Sequence, residues 1–376
     1  MSEIVNDYMA KDIIEVKNLK KTFGTDSDPM KVEAVKSIDF SVRKGEIFGL
    51  LGPNGAGKTT TLNMLSTLLF PTSGTATING CDIVKEPDLV RKNIGMVFQE
   101  SSLDIDMTGW ENMELHAIMY GLDKKTRTKK IKEMLEIVEL SDKGKTLVQN
   151  YSGGMKRRLE IARGLLHYPK CLFLDEPTIG LDPQTRRNIW DHIKKLNREY
   201  GITIILTTHY MEEADALCDR ICIIDHGEII ALDTSENLKA KLKGDTILMD
   251  FENNKDLIKF KEKIKDFPGI NAVKLVMDRN GIALNSQNMP GHPPMGGGPP
   301  MPGKIPKKMM KQMQQMMMKM KDQHSTKLNI TIENGAEKIP ELIRISNDLE
   351  VKIKSLTIKQ PSLEDVFIHY TGRSIR

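Results

Sequence analysis

The chain has little cysteine, few aromatic residues, no clear excess of either charge and no uninterrupted apolar run of membrane length. Each scarcity excludes something. Four cysteines, Cys81, Cys171, Cys218 and Cys222, form no CxxC pair and no disulfide ladder, so ordinary buried thiols in a reducing compartment are expected. Two long uncharged stretches exist, but 280–303 is dominated by Pro and Gly, and 59–81 is Thr-rich and broken by Pro71, Gly74 and Gly80. Neither reads as a membrane span. The first residues carry Glu3 and Asp7 and no apolar core, so no secretory leader is expected. A formal net charge of +4 is too mild to nominate a nucleic-acid partner by size alone, and its location matters more. What is present is length and apolar content: 376 residues, 39% hydrophobic and 28% charged, suit two soluble domains rather than one small module.

Within 13–233, short apolar, β-branched runs at 46–51, 94–98, 171–174, 203–206 and 220–224 alternate with helical patterns, which predicts a largely parallel α/β sheet. Two parts depart from that pattern. Residues 13–42 read as antiparallel strands joined by the polar loop 25–31. Residues 101–150 are mostly helical, with Met113, Ile118, Met119, Ile131, Met134, Leu135 and Val138 at helical spacing, and form the bulk of an inserted helical subdomain of about 101–165. Beyond 245, a strand at 246–251, a helix at 255–267, a hairpin of 272–277 with 281–286, a strand at 327–333, a helix at 336–349 and a strand at 352–358 follow. Allowing one interrupted strand, the order is β-α-β-β-α-β, a small ferredoxin-like α+β domain.

Gly52-Pro53-Asn54-Gly55-Ala56-Gly57-Lys58-Thr59 matches a phosphate-cradling loop in its proper setting, between an apolar strand and a helix that starts with Thr60. Glycines allow successive backbone N–H groups to turn toward anionic oxygens, and the helix N-terminus adds partial positive charge. Lys58 can reach the β and γ phosphates, and the Thr59 hydroxyl can ligate Mg2+. The run 171–174 is a buried strand that ends in Asp175-Glu176. Asp175 suits the Mg2+ shell and Glu176 the orientation of an attacking water. A carboxylate pair after a strand is commonly only a solvated turn, so its meaning depends on the phosphate loop.

Tyr151-Ser152-Gly153-Gly154-Met155, about twenty residues before that pair, resembles the signature of ATP-binding cassette (ABC) ATPases. Gln99 in Val97-Phe98-Gln99 is similar to the family's Q-loop, Gly180-Leu181-Asp182 to its D-loop, His209 after Thr207-Thr208 to its switch histidine, and Phe23 to its adenine-stacking aromatic. The resemblance covers 13 to about 240. It implies a P-loop NTPase cassette that binds ATP and Mg2+. Phe23, residues 52–60, Ser152, Gly153, Gly154 and Asp182 would contact nucleotide, Thr59, Gln99 and Asp175 would serve the metal, and Glu176, His209 and Gln99 the hydrolysis. Ser152 and Gly154 open a helix and form a second anion site. In this family that site grips the γ-phosphate held by another subunit, so one phosphate loop and one signature per chain imply a head-to-tail dimer, with itself or with a second ABC ATPase. Tyr151 and Met155 depart from the commoner Leu and Gln. The backbone donors survive the change, and hydrolysis is expected to survive with them.

Residues 361–373 and the run Tyr151 to Arg158 are similar to daunorubicin-resistance-type exporter ATPases, whose accessory domain would correspond to 246–373. The same tail is a capped amphipathic helix with Leu363, Val366, Phe367 and Tyr370 on one face. The resemblance implies an ATPase peripheral to the cytoplasmic face of the cell membrane, coupled to a separate permease that exports a hydrophobic, drug-like or lipid-like compound. An importer ATPase, or a soluble ABC protein acting on ribosomes or DNA, is the rival reading, and no nucleic-acid partner is expected.

Residues 286–326 interrupt the second domain with 7 prolines, 10 methionines and no aromatic residue, too little for a core. Six lysines against one aspartate here outweigh the whole net charge of the chain. Met309, Met310, Met313, Met316, Met317 and Met320 share one helical face and Lys308, Lys311 and Lys319 another. Contact of 304–321 with an anionic membrane surface is the expectation, with Cu(I) binding, self-association and a solvated loop as alternatives.

Overall fold

The computed structural model describes residues 12–24, 30–242, 244–265, 267–276, 326–333, 335–359 and 361–373. They form two compact units, 1–241 with 363–376, and 242–362.

The first unit opens with β1 (Asp12–Phe23) and β2 (Val32–Arg43), which pair antiparallel as the alternating sequence dictates, with Ile14, Val16, Leu19, Val35, Ile38 and Val42 turned inward. Next come β3 (Ile47–Leu51), α1 (Lys58–Leu65), β4 (Ser73–Ile78), β5 (Cys81–Asp82), α2 (Pro87–Asn93) and β6 (Ile94–Val97). The strand β4 was not evident in the sequence, because only Ala76 and Ile78 of its six residues are buried. It completes a four-stranded sheet of order β2-β1-β4-β5.

Three helices follow: α3 (Gly109–Met119), closed by a capping box between Thr108 and Glu111; α4 (Lys124–Ile137), capped by Asp123; and α5 (Gly153–Leu165), capped by Ser152. The chain then returns through β7 (Cys171–Asp175), α6 (Pro183–Tyr200), β8 (Thr203–Thr208), α7 (Met211–Leu217), β9 (Arg220–Asp225), β10 (Glu228–Asp233) and α8 (Ser235–Ala240). The second sheet has the order β10-β9-β3-β8-β7-β6, parallel except for the edge strand β10. Every residue of β3, β7 and β8 is buried, which is why these strands read as continuous apolar runs rather than alternating ones. The core between the sheets holds Phe40 stacked on Phe48 at 5.3 Å, with Leu62, Leu65 and Phe173. Truncating one such phenylalanine to alanine would cost about 3–5 kcal/mol.

The second unit contains β11 (Asp245–Phe251), α9 (Asn254–Lys263), β12 (Ile270–Val276), β13 (Lys327–Ile332), a helix at Gly335–Asp348 and β14 (Ile353–Lys359). Its antiparallel sheet has the order β12-β13-β11-β14, the ferredoxin-like arrangement, and its core gathers Ile247, Met249, Phe251, Phe260, Ile330 and Leu342. The strand expected at 281–286, the 286–326 insertion up to Ser325 and its candidate membrane-facing stretch 304–321 lie outside the described residues.

The tail helix Leu363–Thr371, expected as the close of the accessory domain, packs in the first unit against α7 and α8. Leu363, Val366 and Phe367 are buried there, while Tyr370, expected on the same face, stays exposed. Beyond the helix, Arg373 Nη2 donates to both oxygens of Asp225, at 2.8 and 2.9 Å. No helix among the described residues is long and apolar enough to cross a membrane.

Candidate functional site

The site grows from the carboxyl ends of three neighbouring parallel strands, β3, β8 and β7, where an open α/β sheet leaves backbone groups free. β3 delivers the chain into the turn 52–57. A side chain at Gly52 would put its Cβ 2.1 Å from the Ile224 carbonyl oxygen, so only glycine lets the turn start so close to β9. Gly57 takes a φ of 105° and places α1 directly behind the loop.

Lys58 is 4% exposed. Its Nζ donates to the carbonyl oxygens of Gly52 at 2.8 Å and Pro53 at 3.0 Å, and stands 3.6 Å from Glu176 Oε1. Burial pushes its ammonium below the ordinary lysine range, against the opposing pull of Glu176 and Asp175. Thr59 Oγ1 donates to Asp175 Oδ1 at 3.1 Å, and Thr207 Oγ1 donates to the same oxygen at 2.5 Å. Asp175 and Glu176 are 3% and 6% exposed.

Glu176 sits at φ 44°, a left-handed conformation that costs a non-glycine residue about 1–2 kcal/mol. Two bonds from its N–H, to Thr207 Oγ1 at 3.0 Å and to the Thr207 carbonyl oxygen at 3.2 Å, hold it there. His209 Nδ1 lies 2.8 Å from Glu176 Oε2 without the alignment of a hydrogen bond, and neither buried atom has another hydrogen-bond partner. Unsatisfied buried polar atoms cost about 1–3 kcal/mol each, and a pair of them side by side is the mark of a site that a ligand or water completes.

This donor set fits a phosphate chain and a hard cation. The loop supplies backbone N–H groups and an ammonium, while Thr59 and Asp175 supply two oxygens of the kind Mg2+ accepts. Gln99, expected in the same shell, is exposed at the end of β6. No hydrogen bond or ion pair among the described residues joins it, Phe23, Ser152, Gly153, Gly154 or Asp182 to the phosphate-loop cluster. Phe23 is 43% exposed, with Lys21 Nζ 5.2 Å from its ring centre.

The signature residues form a second cluster. Ser152 accepts from Met155 N–H at 3.2 Å, and Asp182 caps α6 by accepting from the N–H groups of Gln184 at 3.1 Å and Thr185 at 3.0 Å. Ser152, Gly153 and Asp182 are exposed, whereas Gly154 is pressed so tightly that a Cβ there would stand 2.5 Å from Thr185 Cγ2.

Two contributors escaped the sequence. Thr207 serves both acidic residues with one hydroxyl, donating to the Asp175 carboxylate and accepting from the Glu176 N–H. Arg157, 6% exposed on α5, donates to the carbonyl oxygens of Phe98 at 2.6 Å, Pro177 at 2.7 Å and Asp175 at 2.9 Å, and pairs with Glu160 at 2.9 Å. It fastens the Gln99 turn, the signature helix and the end of β7 to one guanidinium. The legible signal was an i, i+3 Arg–Glu pair interleaved with the apolar residues Leu159, Ile161, Ala162 and Leu165, where a solvated face would not place it.

Residues 35–179 match the family model described as ABC transporter. The linearmycin resistance ATP-binding protein of Bacillus subtilis (strain 168) is 36% identical over 97% of this chain and 100% of its own length. The doxorubicin resistance ATP-binding protein of Mycobacterium tuberculosis is 47% identical over 64% of this chain and 70% of its own. Among solved structures, an ATP-binding cassette dimer in a post-hydrolysis state, bound to ADP and Pi, aligns with TM-score 0.53 and 31% identity over 59% of this chain and 98% of that one.

Proposed function

Because this chain belongs to the ATP-binding proteins of ABC transporters and is an ATPase of that family, we propose that it powers export of a hydrophobic, drug-like or lipid-like compound through a separate membrane subunit. It would work as a head-to-tail dimer, with itself or with a second ABC ATPase, at the cytoplasmic face of the cell membrane. The observation that carries the catalytic half is the convergence of Lys58, Thr59, Asp175, Glu176 and His209, with two facing buried polar atoms that no hydrogen bond satisfies.

Of residues 52–60, the N–H groups from Asn54 onward and the Lys58 ammonium bind the phosphates, and Lys58 leaves its own loop carbonyls to do so. Phe23 packs on the adenine. Thr59 and Asp175 would hold Mg2+, with Gln99 joining from the turn after β6; the ion when bound would neutralise developing phosphate charge. Glu176 orients the attacking water and takes its proton, and His209 keeps that carboxylate placed while presenting a ring nitrogen to the γ-phosphate. Ser152, Gly153 and Gly154 would meet the γ-phosphate held by a second copy, with Asp182 beside them. Support for export comes from resistance ATP-binding proteins, one of them similar along its entire length.

Co-expression of this chain with multi-span membrane proteins from its own source tests the reading. One such pair should co-purify from membranes, and vesicles containing both should extrude doxorubicin only when ATP is supplied. A chain that instead co-sediments with ribosomes or DNA, and never with a membrane protein, overturns the export reading.

A further inference from the structure

Glu213 is a buried acid that the proposed chemistry leaves unused. It sits on α7, is 0% exposed, and shares its apolar face with Ala214 and Leu217. One carboxylate oxygen, Oε1, accepts from Thr178 Oγ1 at 2.7 Å and from Trp190 Nε1 at 3.0 Å, while Oε2 has no hydrogen-bond partner. A buried carboxylate that satisfies only half its capacity is a poor device for stability, because an apolar residue of like size would avoid the desolvation.

Its two ends explain its presence better. Thr178, itself fully buried, lies in the loop that starts at Glu176 and ends at Asp182, and Glu213 lies four residues beyond His209. The loop is tightly wound: Ile179 N–H donates to the Glu176 carbonyl oxygen and Leu181 N–H to that of Thr178, both at 3.2 Å, with Gly180 at φ 73°. A loop wound in this way moves as one piece. A second link runs parallel to the first. The Arg186 guanidinium lies 4.2 Å over the Tyr210 ring, its Nη2 donates to the Leu181 carbonyl oxygen at 3.5 Å, and the Tyr210 and His209 rings are 4.1 Å apart.

We propose that Glu213 is a positioning residue for hydrolysis: through Thr178 it ties the loop bearing Glu176 and Asp182 to the segment that begins at His209. A displacement of His209 on meeting nucleotide then reaches the hydrolytic carboxylate and the exposed Asp182 together. This rests on the ATPase reading above and names the part that keeps its two halves in step.

The test is the steady-state ATPase of the full chain. Thr178→Val keeps the volume and removes the hydroxyl, and is expected to lower kcat about tenfold, the worth of one hydrogen bond to a charged group, with KM for ATP within about twofold. Thr178→Ser restores the hydroxyl and should return kcat to within about twofold of the parent. Trp190→Phe removes the other donor to Oε1 and should leave kcat within about twofold, because Trp190 is outside the loop. If the valine variant fails to fold, Thr178→Ala supplies the same comparison. Parental turnover in the valine variant, or an equal loss in Trp190→Phe, overturns the proposal. Failure of the ATPase reading looks different, since the unmodified chain itself would then release no phosphate from ATP.

Discussion

The phosphate-loop cluster and the signature cluster are built in opposite ways. Around the loop, Lys58, Asp175 and Glu176 are buried, and each already leans on another part of the same chain. Around the signature, Ser152, Gly153 and Asp182 are exposed, and the side chains of Ser152 and Asp182 bond only the first N–H groups of their own helices among the described residues. Buried, self-engaged groups are poised to exchange an internal partner for a ligand in place, because low dielectric strengthens whatever replaces it. Exposed helix starts gain little until something covers them. The first cluster therefore reads as a binding site already assembled, and the second as half of one.

The largest expected effect breaks the first cluster alone. Glu176→Gln should lower turnover about a thousandfold, in the range for loss of a positioned proton acceptor, with ATP binding retained and an ATP-bound dimer accumulating on size exclusion. Turnover at the parental rate would remove Glu176 as the hydrolytic carboxylate. The second effect breaks the other cluster. Ser152→Ala should lower turnover roughly ten- to hundredfold, the worth of a hydrogen bond to a charged group, while equilibrium ATP binding to the monomer stays unchanged. Because Ser152 also caps α5, about 1 kcal/mol of stability should be lost as well, and thermal melting separates that loss from the kinetic one. Weakened ATP binding to the monomer would mean that the two clusters act within one chain.

A smaller effect marks the edge of the first cluster. Phe23→Ala should weaken ATP binding about fivefold, consistent with about 1 kcal/mol for an aromatic contact beyond its area. Fluorescence titration with a ribose-labelled ATP analogue measures it, and an unchanged affinity would remove Phe23 from the adenine site.

Much of this was legible because it is local. The turn 52–57 needs its glycines within a few residues, Ser152 caps the helix that it begins, and the buried strands announce themselves as unbroken apolar runs. Asp175 and Glu176 gained meaning only beside the loop. Arg157, Thr207 and Glu213 were not legible as site residues, because each acts on backbone or side chains far along the chain: Arg157 reaches Phe98 and Pro177, Thr207 reaches Asp175, and Glu213 reaches Thr178. Each sits on an element that carries other polar residues, so nothing local singles it out as a site residue. The tail shows the same limit, since its helix and apolar face were plain, while its seat in the first unit depends on packing against α7 and α8 and on Arg373 meeting Asp225, 148 residues away.

A milder change loosens the signature side and leaves the loop alone. His116, on α3, lies 5.0 Å from the Tyr120 ring, which stacks at 4.1 Å on His167, just past the end of α5. Burial, assisted by Arg163 and His167, pushes the His116 imidazole down from 6.5 to about 4. Between those values the unfolded chain takes up a proton that the folded chain refuses. The stability owed to neutral His116 is therefore complete above about pH 6.5 and is lost progressively toward pH 4. The full slope for one proton is about 1.4 kcal/mol per pH unit, and partial exposure reduces the expected share to about half of that. His116→Phe keeps the ring packing and removes the titration. Melting curves at pH 6.5 and 5.0 should then show a smaller acid loss in the variant than in the parent, with no difference in ATP affinity at pH 7. An equal acid loss in both proteins would mean that the packing of α3 against α5 does not feel this proton, and that the signature side is as insulated from its surroundings as the buried loop.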